Sequence, residues 1–155
     1  MARQRSIFSL ILVLLATFLI SCGGPSVTVA PPTYTATQLE RIEEYVPKIQ
    51  AVRDRADELK TLIYKKDWID VGNFIHGPMT EARSSMTYII PNLLPSVQPV
   101  ARQKTRDLLN DLVKIDQATV QSDSQLALSS YQKVMEDIDK FLQLLPDTST
   151  QAEVS

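Results

Sequence analysis

The sequence predicts an all-α protein, an up-down-up-down antiparallel four-helix bundle. Three observations lead there. Apolar residues recur at threes and fours along four successive stretches of roughly 20–28 residues, the period of a one-faced helix. Only four glycines occur in 155 residues, and β-branched runs are few, which disfavours sheet. The connections between the stretches are short, and short connections make consecutive helices antiparallel neighbours.

The chain opens on a segment outside this pattern, "RQRSIFSLILVLLATFLISCGG". Arg3 and Arg5 precede a fourteen-residue run, 7–20, interrupted only by Ser9 and Thr17. A bilayer core takes about 20 apolar residues to cross, so the run is short for a span and has the length of a signal-peptide core. It ends at Leu19-Ile20-Ser21-Cys22, which resembles a bacterial lipobox: an aliphatic residue, a tolerant position, a small residue, then the only cysteine of the chain. The expectation is a lipoprotein signal peptide over 1–21, with Cys22 lipidated and first in the mature chain. An uncleaved anchor is disfavoured by length, and an ordinary secretory signal by where the single cysteine falls.

Cleavage there leaves 134 residues, enough for one domain with a core. The signal carries two of the 16 cations and none of the 18 anions, leaving 14 against 18, a net charge of −4. A weakly acidic chain is a poor candidate for nucleic-acid binding. With one cysteine no intramolecular disulfide can form, so packing must supply the stability. Residues 22–36, "CGGPSVTVAPPTYTA", hold three prolines and no charge and read as an extended tether.

The first helix is expected to start at Thr37, with Glu40 completing a capping box. Its stripe is Leu39, Ile42, Val46, Ile49, Val52, Ala56, Leu59 and Ile63, and Pro47 is expected to kink it or split off its first two turns. Asp67 caps the second helix, whose stripe runs through Trp68, Val71, Ile75, Met79, Ala82, Met86, Ile89 and Leu93, with a bend at Gly77-Pro78. "PNLLPSVQP" is the longest connection. The third helix runs from about Val97 to Gln121 with Ala101, Leu108, Leu112 and Ile115 inward, and "SDS" stops it and caps the next. The fourth shows Ala127, Tyr131, Val134, Ile138, Phe141 and Leu145 and ends at Pro146. The bundle therefore spans 37–146 and a polar tail follows over 147–155.

Chemistry-bearing constellations are scarce. His76 is the only histidine, and bundle metal sites use Glu-x-x-His pairs on facing helices. It reads as a bend residue bonded locally near Gly77-Pro78, with adventitious surface zinc the minor alternative. No haem-attachment motif, phosphate loop or serine/histidine nucleophile set is present. The carboxylates fall on polar helix positions. Trp68, beside a tight turn, reads as a core plug or, if exposed, as an interface anchor. Arg102, Lys104 and Arg106 cluster in the N-terminal half of the third helix, where cations gain nothing from the dipole; Arg102 and Arg106 share a face. They read as a solvated surface or as a docking patch for an acidic partner. From the residues alone, the chain is a lipid-anchored helical bundle that binds rather than catalyses.

The stretch "KKDWIDVGNFIHGPMTEARSSM", the later "LLP" and "FLQLLP", and the signal "SLILVLLATFLISC" together resemble the cyanobacterial PsbQ-like lipoproteins (CyanoQ), in the same order along nearly the whole chain. The tryptophan opening the second helix is similar to that of plant PsbQ. The resemblance implies a four-helix bundle tethered on the lumenal side of the thylakoid membrane. It implies partners on photosystem II, near the CP47 antenna protein and the manganese-stabilising subunit PsbO, and a role in stabilising the oxygen-evolving complex and its calcium and chloride requirement. It implies no catalytic residue and no cofactor. Cys22 corresponds to the lipidated cysteine and Trp68 to the second-helix tryptophan. The rivals are a periplasmic or lumenal ligand-binding or sensor bundle, which calls for a polar cavity at the Gly77-Pro78 bend, and a carboxylate enzyme, which calls for a facing acidic pair inside the bundle.

Overall fold

The structure, a computed structural model, describes residues 33–147. The signal peptide, Cys22, nearly all of the tether and the tail beyond 147 lie outside the described residues.

Within them the chain is helical, with no strand. The first rod comprises α1 (Ala36–Asp54) and α2 (Ala56–Lys65). Its capping box is not the expected pair of Thr37 and Glu40 but the one two residues earlier. Thr35 Oγ1 accepts from the Gln38 N–H at 3.3 Å, and Gln38 Oε1 accepts from the Thr35 N–H at 2.9 Å. This choice puts Tyr34 and Leu39 at the two hydrophobic-staple positions, and Tyr34 packs against the core. Nor does Pro47 split the helix. Pro47 and Glu43 are both exposed, so water can satisfy the Glu43 carbonyl that loses its donor. The break falls instead at Arg55 (φ −89°, ψ 9°). Its guanidinium lies 5.0 Å from the centre of the Phe74 ring and pairs with Glu58.

The second rod holds α3 (Trp68–Phe74), a π turn (Ile75–Met79), α4 (Thr80–Ile89) and a 3₁₀ turn (Ile90–Asn92). The bend expected at Gly77-Pro78 takes the form of the π turn. Pro78 has no N–H to give, and a wider turn avoids the clash a proline ring makes with the preceding turn. The Thr80 hydroxyl donates to the Ile75 carbonyl at 3.1 Å. The third rod is α5 (Gln98–Gln121) and the fourth α6 (Ser124–Leu142).

Two of the three connections share one design. Lys66 and Ser122 adopt left-handed φ values of 57° and 55°. In each case the left-handed residue and the next one bond back to carbonyls of the last turn: Lys66 to Ile63, Asp67 to Leu62, Ser122 to Thr119 and Asp123 to Ala118. That is the Schellman pattern. Asp67 and Asp123 then cap the following helices.

The packing closes a ring: α1 on α4, α3 and α4 on α5, α5 on α6, and α2 with α1 on α6. This is the predicted up-down-up-down bundle. Its core takes the expected stripes almost whole, including Ile49, Leu59, Met79, Met86, Leu108, Ile115, Ile138 and Phe141. Phe74, Ile90 and Met135 join them. No described helix is long and apolar enough to cross a membrane.

Candidate docking surface

Trp68 is the first residue of α3, held there by the Asp67 cap. It is half-buried and packs against the core, so its ring serves the tight α2–α3 corner. His76 sits in the π turn with its side chain mostly exposed, and its Nε2 lies 3.0 Å from Asp116 Oδ1 on α5. The bond expected within the bend is thus made across to the third rod. Among the described residues no group of three or more His, Cys, Asp and Glu side chains converges as a metal would require.

The three cations of the α5 cluster part company. Lys104 turns toward α6, where its ammonium donates to Asp107 at 3.1 Å and Asp137 at 3.0 Å. Those bonds, to Asp137 first, raise the Lys104 pKa. Asp137 is only 6% exposed, and desolvation pushes its pKa up despite the lysine. Burial falls on the aspartate far more than on the lysine, which is why both groups shift upward. Lys104 and then Gln103 hold Asp107 below the usual carboxylate range, with Arg106 adding a smaller attraction.

Arg102 and Arg106 point the other way, into a groove of about 380 Å³ between α5 and the α4 end of the second rod. Arg83 of α4 lines its opposite wall, and Ile90, Pro91 and Leu109 supply apolar surface. Arg102 donates to Gln98 and Arg106 to Gln103, both neutral. Six arginines occur in the described residues. Arg41, Arg53 and Arg55 are in ion pairs; Arg83, Arg102 and Arg106 make no salt bridge among the described residues, and Arg106 has only the weaker, longer-range attraction to Asp107. The sequence reading missed Arg83, since nothing in a single chain says which residue of α4 faces position 106.

A larger groove, about 710 Å³, runs between the α1–α2 junction and α6. It is crossed by the bidentate Arg53–Asp139 pair, 2.5 and 2.9 Å, and rimmed by the Glu136–Lys140 pair. Neither groove is lined by Gly77 or Pro78. Each of the buried carboxylates, Asp111 and Asp137, is held by a lysine, Lys114 or Lys104, which leaves neither as a free general acid or base.

Against known proteins, the family described as PsbQ, oxygen evolving enhancer protein 3, matches residues 2–146. The chain belongs to the PsbQ family. It is 36% identical over 150 residues to CyanoQ of Synechocystis sp., covering 96% of this chain and all of that one. As a PsbQ-family member it is an extrinsic, non-catalytic oxygen-evolving-enhancer subunit on the lumenal side of photosystem II. For such a subunit the surface that matters is one that binds. In the arginine groove three guanidiniums stand together with no salt bridge among the described residues.

Proposed function

We propose that the chain is a lipid-anchored cap on the lumenal face of photosystem II, seated near CP47 and PsbO, that stabilises the oxygen-evolving complex and its calcium and chloride requirement. The observation that supports this is the length of the CyanoQ match: at 96% of the chain it includes residues from the leader as well as the bundle. Leu19-Ile20-Ser21-Cys22 then serves as the lipidation signal and Cys22 as the anchor point. Each buried CH₂ of an acyl chain contributes about 0.8 kcal/mol, so several chains hold the protein on the membrane persistently. Confinement to the membrane raises the effective concentration near the complex, and a modest interface suffices. The rigid bundle acts by covering: it restricts exchange of water and ions over a site whose ligands its neighbours own. Arg102, Arg106 and Trp68 are candidate docking residues; Lys104 contributes through its position between α5 and α6.

Two measurements test this. Membranes lacking the protein are expected to lose oxygen evolution in calcium- and chloride-poor medium and to regain it when the wild-type chain is restored. Equal activity with and without the protein in that medium would refute the ion-retention role. Cys22→Ser is expected to move most of the protein to the soluble fraction with its helical circular dichroism unchanged; an unaltered membrane fraction would refute the lipid tether.

A further inference from the structure

Taking the photosystem II reading as its basis, we infer that the α4–α5 groove receives an acidic segment of a protein partner, whose carboxylates lie between Arg83, Arg102 and Arg106 and whose apolar side chains continue along α5.

Charge is the first argument. The described arginines divide cleanly: three are neutralised internally, and the other three line one groove. From Cys22 onward the chain carries four more anions than cations, so this concentration of guanidinium without salt bridges runs against its overall charge. Guanidinium is planar and offers paired donors that match a carboxylate, and it is less strongly hydrated than an ammonium. Arg102 and Arg106 are one helical turn apart, with Arg83 across from them, an arrangement suited to a segment bearing several carboxylates rather than one.

The second argument is what lies beyond the arginines. Positions 102, 106, 109, 113 and 120 fall at spacings of four, three, four and seven, one stripe along the outside of α5. Its later apolar members are exposed, Leu109 at 41%, Val113 at 47% and Val120 at 84%, and the one carboxylate among them, Asp116, is bonded to His76. Seven large apolar residues are exposed in the described chain, and three of them are on this stripe. From 102 to 120 the stripe is about 27 Å long at 1.5 Å per residue. A phosphate headgroup would account for the arginines and leave the stripe uncovered. A protein segment of about eight extended residues accounts for both, at roughly 3.3 Å each. Arginine combined with apolar contact is also the composition of interface cores.

The test uses the full-length, lipidated protein in membranes. Arg83→Gln, Arg102→Gln and Arg106→Gln are combined in one variant, and Lys60→Gln, Lys65→Gln and Lys133→Gln, exposed cations outside the groove, in another. Both lose three positive charges. No ion pair among the described residues is lost in the first variant, so its helical spectrum and melting temperature are expected to hold. The groove variant is expected to lower recovery of photosystem II with the tagged protein about tenfold or more, and the lysine variant less than about threefold. A photo-crosslinker in place of Thr87, on the groove wall, is expected to capture a protein segment rich in Asp and Glu.

Equal losses in the two variants, or full recovery with the groove variant, overturn the inference while leaving the photosystem II reading intact. Crosslinks to lipid, or a drop in binding to phosphatidylglycerol vesicles without a drop in photosystem II recovery, overturn it in favour of a lipid site. Crosslinks to a second copy of the chain overturn it in favour of self-association. Failure of the wild-type protein to recover photosystem II at all overturns the functional reading, and this inference with it.

Discussion

Lys104 shows what a single side chain does in a bundle without disulfides. It holds Asp107 on its own helix and the nearly buried Asp137 on the next, so one ammonium fastens α5 to α6. Removing it leaves Asp137 desolvated with no counter-charge, and Lys104→Met is expected to destabilise the fold by about 1–3 kcal/mol at neutral pH. The pH dependence has a definite sign. Asp137 is raised in the folded state, so its contribution favours folding at acid pH and is lost as pH climbs through the folded pKa. Losing the lysine raises Asp137 further. Asp107 is depressed chiefly by the same lysine, and the stability that depression gives is present above the ordinary carboxylate range and lost in acid. Both effects make the substitution costliest near pH 7 and progressively milder toward about pH 4. Urea unfolding of wild type and variant across that range reads it directly; a cost that is flat or grows in acid would refute the assignment. The cluster of Arg102, Lys104 and Arg106 was legible in the sequence as a cluster. That its middle member faces inward follows from helical geometry, since 104 lies near the opposite side of the turn from 102 and 106.

At the scale of elements, the legible features were those with a period or a unique residue. The four stripes found the core because burial repeats every three to four positions, and Asp67 and Asp123 announced their helices. The start of α1 was ambiguous because Thr35-x-x-Gln38 and Thr37-x-x-Glu40 are equally good boxes; Tyr34 packing on the core favours the first. That Pro47 does not split α1 was not legible, because its cost depends on whether the freed carbonyl meets water, which a sequence does not state. The left-handed residues at Lys66 and Ser122 were hidden as well, since glycine is the usual signal there. They give a matched prediction. Lys66→Gly and Ser122→Gly relieve a side chain at positive φ, while Gly72, inside α3 with open space where a Cβ would lie, is wasted as glycine. All three substitutions, Gly72→Ala included, are expected to stabilise by about 0.5–1 kcal/mol each. Thermal melts check this: adding glycine should help at 66 and 122, and removing it should help at 72. Loss of stability from Gly72→Ala would mean that the α3 surface is not as open as described.

For the whole molecule, the two proposed attachments, the lipid at Cys22 and the arginine groove, are expected to reinforce one another. On the proposed reading the lipid at Cys22 would supply residence on the membrane without identifying a partner, and the groove would supply a partner without residence. When one is already made, the other forms within a small volume, so its effective concentration is set by the tether rather than by the bulk. The crossed variants Cys22→Ser and Arg83→Gln/Arg102→Gln/Arg106→Gln separate the terms. The groove variant alone is expected to remain with membranes but to leave photosystem II once detergent frees the lipid. Cys22→Ser alone is expected to keep a photosystem II-bound fraction at low salt and release it as ionic strength rises, because the remaining attraction between charges is screened with a Debye length near 10 Å at 0.1 M. The double variant is expected in the soluble fraction at every salt concentration. Fractionation of the four proteins over a salt series decides it. A double variant that stays bound points to a third attachment surface, and a salt-insensitive Cys22→Ser fraction places the docking energy in apolar contacts instead of the arginines.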